Sequence, residues 1–198
     1  VQQFTYNYAG AGSLSGGAGA PHTLSLNNGA DGVVLDLRLA QNYVVSSDVS
    51  IVLGTNSSIT VYGAGNAAGG NLTLAGGIAG AGCSLTKTGN GTLTLTGVNT
   101  YDGPTVISNG IVAASNYSAL GGSGQNVTVT TAGAIGFAGQ ALTQALMTDR
   151  IALSSSGTVA IGAITTNNLD FTALTTRLGA LIAASYTGIL TPNGSIYR

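Results

Sequence analysis

Side chains that could perform acid–base or metal chemistry are few in this chain of 198 residues. It has one histidine, His22, and six dispersed carboxylates, all aspartate: Asp31, Asp36, Asp48, Asp102, Asp149 and Asp170. A catalytic triad or a histidine metal site would have to be built around His22. Glycoside hydrolysis or calcium-assisted polysaccharide cleavage needs two carboxylates close together, and the spacing brings no two together. We therefore predict no catalytic, cofactor-binding or metal-binding residues, and no enzymatic activity.

Motifs that bind nucleotides or activate a serine are incomplete. Residues 63–68 lack the third glycine of a dinucleotide-binding loop, and Lys87 lacks the preceding glycine of a phosphate-binding loop. Residues 121–125 do not form a nucleophile elbow, because the last position is glutamine. The chain also lacks the glycine- and aspartate-containing repeat that binds calcium. We expect no cofactor.

Three other features of the sequence predict structural roles. Asp36 and Arg38 lie two apart on a predicted strand and share a face, which indicates a surface ion pair. Asp149 and Arg150 are predicted to end a short helix. Cys83 is the single cysteine, so an intrachain disulfide is excluded. We expect it to be a small buried or corner residue, with a disulfide to another chain as the alternative.

Composition limits the partners of the chain. Charged residues make up 6% of it and the formal net charge is −1, which leaves no basic patch for nucleic acid or an anionic membrane surface. No run approaches the roughly 20 apolar residues of a membrane-spanning helix, so no membrane insertion is expected. Hydrophobic residues make up 44% of the chain, enough to fill a core. We assign residues 1–198 to a single domain.

Short runs of alternating apolar and polar residues dominate the sequence. They occur at residues 23–26, 58–61, 71–74, 92–96 and 126–130, with clusters of glycine and asparagine between them. Such alternation predicts half-buried strands joined by turns. Helical spacing is confined to a short segment near residues 140–149, and we interpret residues 171–182 as mostly strand. The low charge favours a β-solenoid over a sandwich, because stacked coils can carry rows of threonine, asparagine and small residues.

One segment carries a longer pattern. Residues 77–105 read GIAGAGCSLTKTGNGTLTLTGVNTYDGPT, which resembles the autotransporter-associated β-strand repeat, typically LTKxGxGTLTLSGxNTYxGxT. The resemblance is best over residues 71–137. The tail from Leu178 to Arg198 resembles segments found beside such repeats in very large bacterial surface proteins, so we expect a fragment or processed subunit of a larger protein. Pro104 replaces a small residue of the motif and should restrict the start of a strand at Thr105.

The resemblance implies an all-β, right-handed parallel β-helix from a secreted or surface-exposed bacterial protein. With about 20 residues assumed per coil, the chain would form roughly ten coils and a rod of about 50 Å. Gly89 and Gly91 would form one corner and Gly97 with Asn99 the next, with Tyr101 packed against it. The pattern predicts inward Leu72, Leu74, Leu93, Leu95, Val127 and Val129, and outward Thr92, Thr94, Thr128 and Thr130.

These observations predict a structural or adhesive module at the cell surface or outside the cell, with self-assembly into filaments as an extension of that role. A polysaccharide-binding module is the alternative, followed by a polysaccharide-acting enzyme and a surface of threonines that orders water or ice. Tyrosines clustered on one face would favour glycan binding, whereas dispersed tyrosines would favour a structural rod.

The two ends of the chain predict its partners. Apolar residues lie near both ends: Phe4, Tyr6, Tyr8, Ile189, Leu190 and Ile196. A solenoid end without a polar cap exposes unpaired strand groups. We therefore expect end-to-end contacts with other copies or with adjoining coils of a parent protein, and surface glycans as further candidate partners.

Overall fold

A computed structural model describes residues 2–8, 12–14, 21–27, 33–39, 42–63, 69–123 and 127–194. Within these ranges the chain forms β-strands, a short 3-10 helix at Tyr117–Leu120 and one α-helix, α1, at Gln144–Arg150. The strands belong to four parallel sheets. We call the two long ones sheets A and B, and the two short ones sheets C and D.

The strand bounds show how the sheets alternate along the chain. Sheet A contains β1 (Gln2–Tyr8), β4 (Val33–Leu39), β7 (Ser57–Tyr62), β10 (Leu85–Thr88), β12 (Thr105–Ile107) and β14 (Val127–Val129). Sheet B contains β2 (Gly12–Leu14), β5 (Asn42–Val45), β8 (Asn71–Leu74), β11 (Thr92–Leu95), β13 (Gly110–Ala114), β15 (Gly133–Phe137), β16 (Thr158–Ile161) and β18 (Arg177–Ala180). Sheet C contains β3 (His22–Leu26), β6 (Val49–Leu53) and β9 (Ile78–Ala79), and sheet D contains β17 (Leu169–Asp170) and β19 (Leu190–Thr191).

Consecutive strands fall in different sheets as far as β15, whereas β15 and β16 both belong to sheet B and are separated by α1. Each strand pairs in parallel with its equivalent one coil away. Leu85 pairs with Thr105 in sheet A, and Leu93 pairs with Val112 in sheet B. This connectivity is that of a β-solenoid, so the predicted fold class is confirmed. The third coil contains β7, β8 and β9, the fourth contains β10 and β11, and the fifth contains β12, β13 and the 3-10 helix.

The expected number of coils is wrong. The structure has about seven turns rather than ten, and at about 4.8 Å per turn its length is about 35 Å. The reason is that several coils are longer than 20 residues. Asn56 and Ser84 occupy equivalent corners 28 residues apart, and Gln144 contacts Asp170 across 26 residues.

The interior of the stack is the predicted one. The leucine and valine side chains assigned to it are at most 2% exposed: Leu72, Leu74, Leu93, Leu95, Val127 and Val129. The four threonines assigned to the outside are half-buried on the outer surface. They do not share a face, because Thr92 and Thr94 lie in sheet B, whereas Thr128 lies in sheet A and Thr130 directly follows its strand.

Helix α1 confirms the predicted short helix, displaced a few residues toward the C-terminus. The Thr143 hydroxyl accepts a hydrogen bond from the Leu146 N–H at 3.2 Å and caps the helix. Leu146 and Met147 are buried, and the helix ends at Arg150 as expected. No helix in the described ranges is long and apolar enough to cross a membrane. The interpretation of residues 171–182 as mostly strand is wrong, because of these residues only Arg177–Ala180 form a strand, β18.

The structure of two corners explains why proline occurs at position 104 and glycine at position 97. Strand β12 begins directly after Pro104, whose carbonyl oxygen accepts from the Leu85 N–H at 3.0 Å while its missing N–H costs no ladder bond. At Gly97 an added Cβ would lie 2.3 Å from the Gly76 carbonyl oxygen. Successive corners therefore stack too closely at this position for a side chain.

Candidate functional site

The residues that could have formed a catalytic or metal site are separated in the structure. His22 is exposed at the start of β3. The described aspartates lie on different elements: Asp36 on β4, Asp48 before β6, Asp102 in the corner after β11, Asp149 on α1 and Asp170 on β17. Asp31 lies outside the described residues. Among the described residues, no three histidine, cysteine or acidic side chains are grouped so that they could hold a metal ion.

Asp36 and Arg38 form the predicted ion pair, with 2.9 Å between Oδ2 and Nη2. The expectation that it is a surface pair is wrong for Asp36, whose side chain is 5% exposed against 31% for Arg38. Arg38 also covers the ring of Tyr62, with its guanidinium carbon 5.4 Å from the ring centre. The ion pair lies within β4, and the contact of Arg38 with Tyr62 links β4 to β7 in sheet A, which is a structural arrangement.

Cys83 is a free, buried thiol, as predicted. Its Sγ donates to the Leu53 carbonyl oxygen at 3.3 Å, one coil earlier. The thiol is 7% exposed, so it is poorly placed for a disulfide with another chain.

Asn99 connects three coils. Its Oδ1 accepts from the Ile78 N–H of the third coil at 2.7 Å, and its Nδ2 donates to the Ala119 carbonyl oxygen of the fifth coil at 2.6 Å. Both atoms are buried, so each bond satisfies a backbone group that water does not reach. The asparagine of the predicted corner is therefore a connector along the solenoid axis.

Tyr101 lies inside the same corner and is fully buried, which confirms that it packs against it. Its hydroxyl is 2.7 Å from Thr105 Oγ1, and Thr105 Oγ1 in turn donates to the Leu120 carbonyl oxygen at 3.3 Å. Burial raises the pKa of the Tyr101 hydroxyl to about 12. A phenol held neutral in this way serves packing and hydrogen bonding.

Lys87 is the residue that sequence reasoning missed. Its side chain points into the solenoid and is 0% exposed. Nζ donates to the carbonyl oxygens of Thr88 at 2.6 Å, Gly89 at 2.8 Å and Asn109 at 3.1 Å. The Thr88 oxygen lies at the end of β10 and the Gly89 oxygen in the turn that follows, whereas the Asn109 oxygen belongs to the turn after β12, one coil further.

Burial sets the protonation of Lys87. Desolvation lowers the pKa of its amine from the usual 10.5 to about 7. The strands that flank β10 in sheet A, β7 and β12, contain no acidic residue that could oppose this effect. Lys87 is thus a buried amine whose charge changes near neutral pH.

A signal for this burial was present in the sequence. Leu85, Thr86 and Lys87 continue the two-residue alternation, which places Lys87 on the same face as the buried Leu85. A lysine is normally solvated, so the alternation by itself does not predict that this side chain is buried.

A shallow groove lies on the outer face of sheet B. It has a volume of about 240 Å³ and is lined by Thr92, Ile111, Ala113, Ala138, Gly139, Gly162, Leu181 and Ile182. Its side chains are aliphatic apart from the Thr92 hydroxyl, so they offer no general acid or base. Leu181 lies flat on this face, where an added Cβ at Gly136 would be 2.4 Å from its side chain.

Comparisons with known proteins agree with the fold. The model of the passenger-associated-transport-repeat family matches residues 85–114, which include the Lys87 and Asn99 corners. The chain is 36% identical over 205 aligned positions to the adhesin BmaC autotransporter of Brucella suis biovar 1 (strain 1330). The alignment covers 94% of this chain and 6% of that protein. No solved structure matches the chain.

Three observations define the class of protein: the parallel coils, the corner in which Asn99 links three coils, and the match to the repeat family. The chain is an autotransporter passenger-type β-repeat protein. It spans a small part of the length of the relative, so the activity and partners of a whole protein are taken up below as proposals.

Proposed function

We propose that this chain is a structural segment of a surface-exposed bacterial adhesin passenger, which extends the adhesive parts of the protein away from the cell. The observation that carries the proposal is the continuous interior: the same inward positions are filled in successive coils, as in Leu72, Leu93 and Val112 of sheet B. A stack of this kind transmits rigidity along one axis. The similarity to an adhesin supports the surface location and the adhesive context.

The placement of tyrosines supports a structural role over polysaccharide binding. Of the tyrosines whose side chains are described, Tyr43 is in sheet B, Tyr62 is in sheet A and Tyr101 is interior. Tyr117 begins the 3-10 helix, and Tyr186 lies between β18 and β19. Sugar-binding sites on solenoids need several aromatic rings on one face to stack on successive residues. These five rings are dispersed.

Two further alternatives find little support. Separated aspartates and an aliphatic groove do not supply the paired carboxylates of a polysaccharide-acting enzyme. A water-ordering surface would need threonines repeated on one face. Thr94 instead has Thr73 on one side and Ala113 on the other.

The C-terminal coils favour end-to-end association. Ile182 is 58% exposed and Ile189 is 68% exposed in these last coils. Strand β18 is an edge of sheet B, where its free side can accept another parallel strand. We propose that adjoining coils of a parent protein or other copies of the chain cover this end. Ile196 lies outside the described residues, and the side chains of Phe4, Tyr6 and Tyr8 in β1 are also outside the description.

Display of the chain on a non-adherent bacterium tests the structural role. The chain is fused to a heterologous surface anchor with an epitope tag at the free end, and intact cells are treated with protease. We expect an exposed tag that is retained for hours, and no saturable binding of the purified chain to a glycan array.

The matched control for this experiment is a pair of substitutions in strand β11. Thr94→Asp alters the outer surface and should leave the tag protected, whereas Leu93→Asp alters the interior and should lead to its loss. Rapid proteolysis of the unmodified chain would contradict the structural role. Saturable glycan binding would instead support the polysaccharide-binding alternative.

A further inference from the structure

Lys87 occupies an interior position that its neighbours fill with aliphatic side chains. In sheet A, Lys87 pairs with Ile59 on one side and with Ile107 on the other, and the same row continues to Leu35 and Val129. An aliphatic residue would fit this row without burying an amine. The lysine therefore needs an explanation other than packing.

The surroundings of Nζ match an ammonium group. A protonated lysine has three N–H donors, and Nζ has three carbonyl acceptors, from Thr88, Gly89 and Asn109. A neutral amine has only two donors, together with a lone pair that a carbonyl oxygen cannot satisfy. Loss of the proton must therefore break one of the three bonds.

Of the three hydrogen bonds, the one that should break on deprotonation is the bond between coils, from Nζ to the Asn109 carbonyl oxygen. The Thr88 and Gly89 oxygens belong to the same coil as Lys87 and lie at 2.6 and 2.8 Å, whereas the Asn109 oxygen belongs to the next coil and lies at 3.1 Å. Gly110, which follows Asn109, is held close: an added Cβ there would be 2.4 Å from the Gly89 carbonyl oxygen and 2.9 Å from Nζ. The turn after β12 thus packs closely against the Lys87 ammonium group.

We infer that Lys87 forms a pH-responsive hydrogen-bonded contact between the fourth and fifth coils. Protonated Lys87 holds the turn after β12, and neutral Lys87 releases it. The inference is independent of the adhesive role proposed above. It describes a conformational response of one corner. The other inward positions of this row from Leu35 to Val129 are aliphatic.

No charge from the neighbouring elements competes with this proton. Strands β7, β12 and β13 pack against β10, and β11 follows it in the chain. Their sequences contain no acidic or basic side chain, and their one titratable side chain, Tyr62 on β7, has its ring covered by Arg38. Burial lowers the pKa of Lys87 to about 7. The turn after β12 should therefore respond to a change from mildly acidic to mildly alkaline pH.

Nuclear magnetic resonance of the whole chain tests the inference directly. Lys87 is the sole lysine in the sequence, so lysine labelled at its side-chain nitrogen and ε-carbon gives one side-chain signal without assignment work. We expect that signal to titrate with a midpoint near pH 7. The backbone ¹⁵N of Gly110, which reports on the Asn109 carbonyl, should shift with the same midpoint, while Gly133, the equivalent glycine one coil further, should not.

Two variants separate Lys87 from other groups. In Lys87→Met, which keeps the length of the side chain without the amine, the Gly110 signal should be independent of pH. In His22→Asn, which removes the sole imidazole, the transition at Gly110 should persist. A Lys87 midpoint near 10, or a Gly110 shift that survives in Lys87→Met, would overturn the inference. If Lys87→Met does not fold, the absence of a common midpoint for Lys87 and Gly110 in the unmodified chain would overturn it equally.

Discussion

The hydroxyl oxygens of Tyr101 and Thr105 lie 2.7 Å apart inside the solenoid, where neither side chain reaches solvent. The two residues flank Pro104 at the corner between the fourth and fifth coils. Thr105 Oγ1 in turn donates a hydrogen bond to the Leu120 carbonyl oxygen at 3.3 Å. The corner is therefore closed by a short chain of buried hydroxyl groups, and its geometry depends on both of them.

Tyr101→Phe should lower the free energy of unfolding by about 1 to 2 kcal/mol, because the ring is kept while one buried hydrogen bond is lost. Urea unfolding monitored by circular dichroism measures the change. Tyr117→Phe is the control, since its hydroxyl contacts Thr143 Oγ1 at 3.2 Å in an exposed position, and it should change stability by less than about 0.5 kcal/mol. Equal effects of the two substitutions would contradict the buried network.

Asn99→Ala should be more severe than Tyr101→Phe. It leaves the Ile78 N–H and the Ala119 carbonyl oxygen buried without their side-chain partner, and each such group costs about 1 to 3 kcal/mol. Asn71→Ala removes a bond of similar length, 2.7 Å to Asn42 Oδ1, but on the exposed surface. The midpoint of urea unfolding should fall clearly for Asn99→Ala and hardly for Asn71→Ala; the reverse order would argue against a connecting role for Asn99.

Leu93→Asp should destabilise the chain by several kcal/mol, because a carboxylate enters a position that is 0% exposed. Thr94→Asp, on the next residue of the same strand, faces outward and should cost less than about 1 kcal/mol. Thermal unfolding of the two variants at equal concentration compares them. A melting temperature of Leu93→Asp close to that of the unmodified chain would show that the side chain is not in the interior.

Stability should rise with pH above neutrality. Since the pKa of Lys87 is about 7 in the folded chain and 10.5 when unperturbed, the unfolded chain binds more protons between these values. The free energy of unfolding then increases with pH by at most about 1.4 kcal/mol per unit, and is flat in this respect below pH 7. The raised pKa of Tyr101 acts in the opposite direction, but only from about pH 10 upward.

Urea unfolding at pH 6, 7.5 and 9 covers the range where Lys87 acts without Tyr101. Lys87→Met provides the comparison, because its stability should lack the rise between pH 7.5 and 9. A parallel rise in both proteins would assign the pH dependence to other groups.

The inward residues of the strands and the solenoid fold could be predicted from the sequence, for a physical reason. Alternation of two identifies the inward residues of a strand, so Leu93 and Val127 were placed correctly, and the repeat around Asn99 indicated the solenoid. The number of coils was not predictable from alternation, because the lengths of corners vary independently of the strands they join.

The buried charges were missed for another reason. Asp36 is on a predicted strand and Lys87 continues an alternation of two, but whether a charged side chain is buried depends on contacts from other coils. For Lys87 these contacts are carbonyl oxygens in turns, such as that of Asn109, which carry no side-chain signature in the sequence. Burial of Asp36 on an outer face depends on neighbours such as Arg38 in the folded arrangement.

The distance between spin labels at positions 42 and 158 tests the continuous parallel stack most directly. Asn42 and Thr158 lie in one outward row of sheet B, linked through Asn71, Thr92, Ile111 and Ala134. Five steps of about 4.8 Å separate them by about 24 Å. With Cys83 replaced by alanine and cysteines introduced at both positions, pulsed electron paramagnetic resonance should give one distance distribution centred near that value. A distribution centred below about 15 Å, or two separate maxima, would contradict the stack of coils.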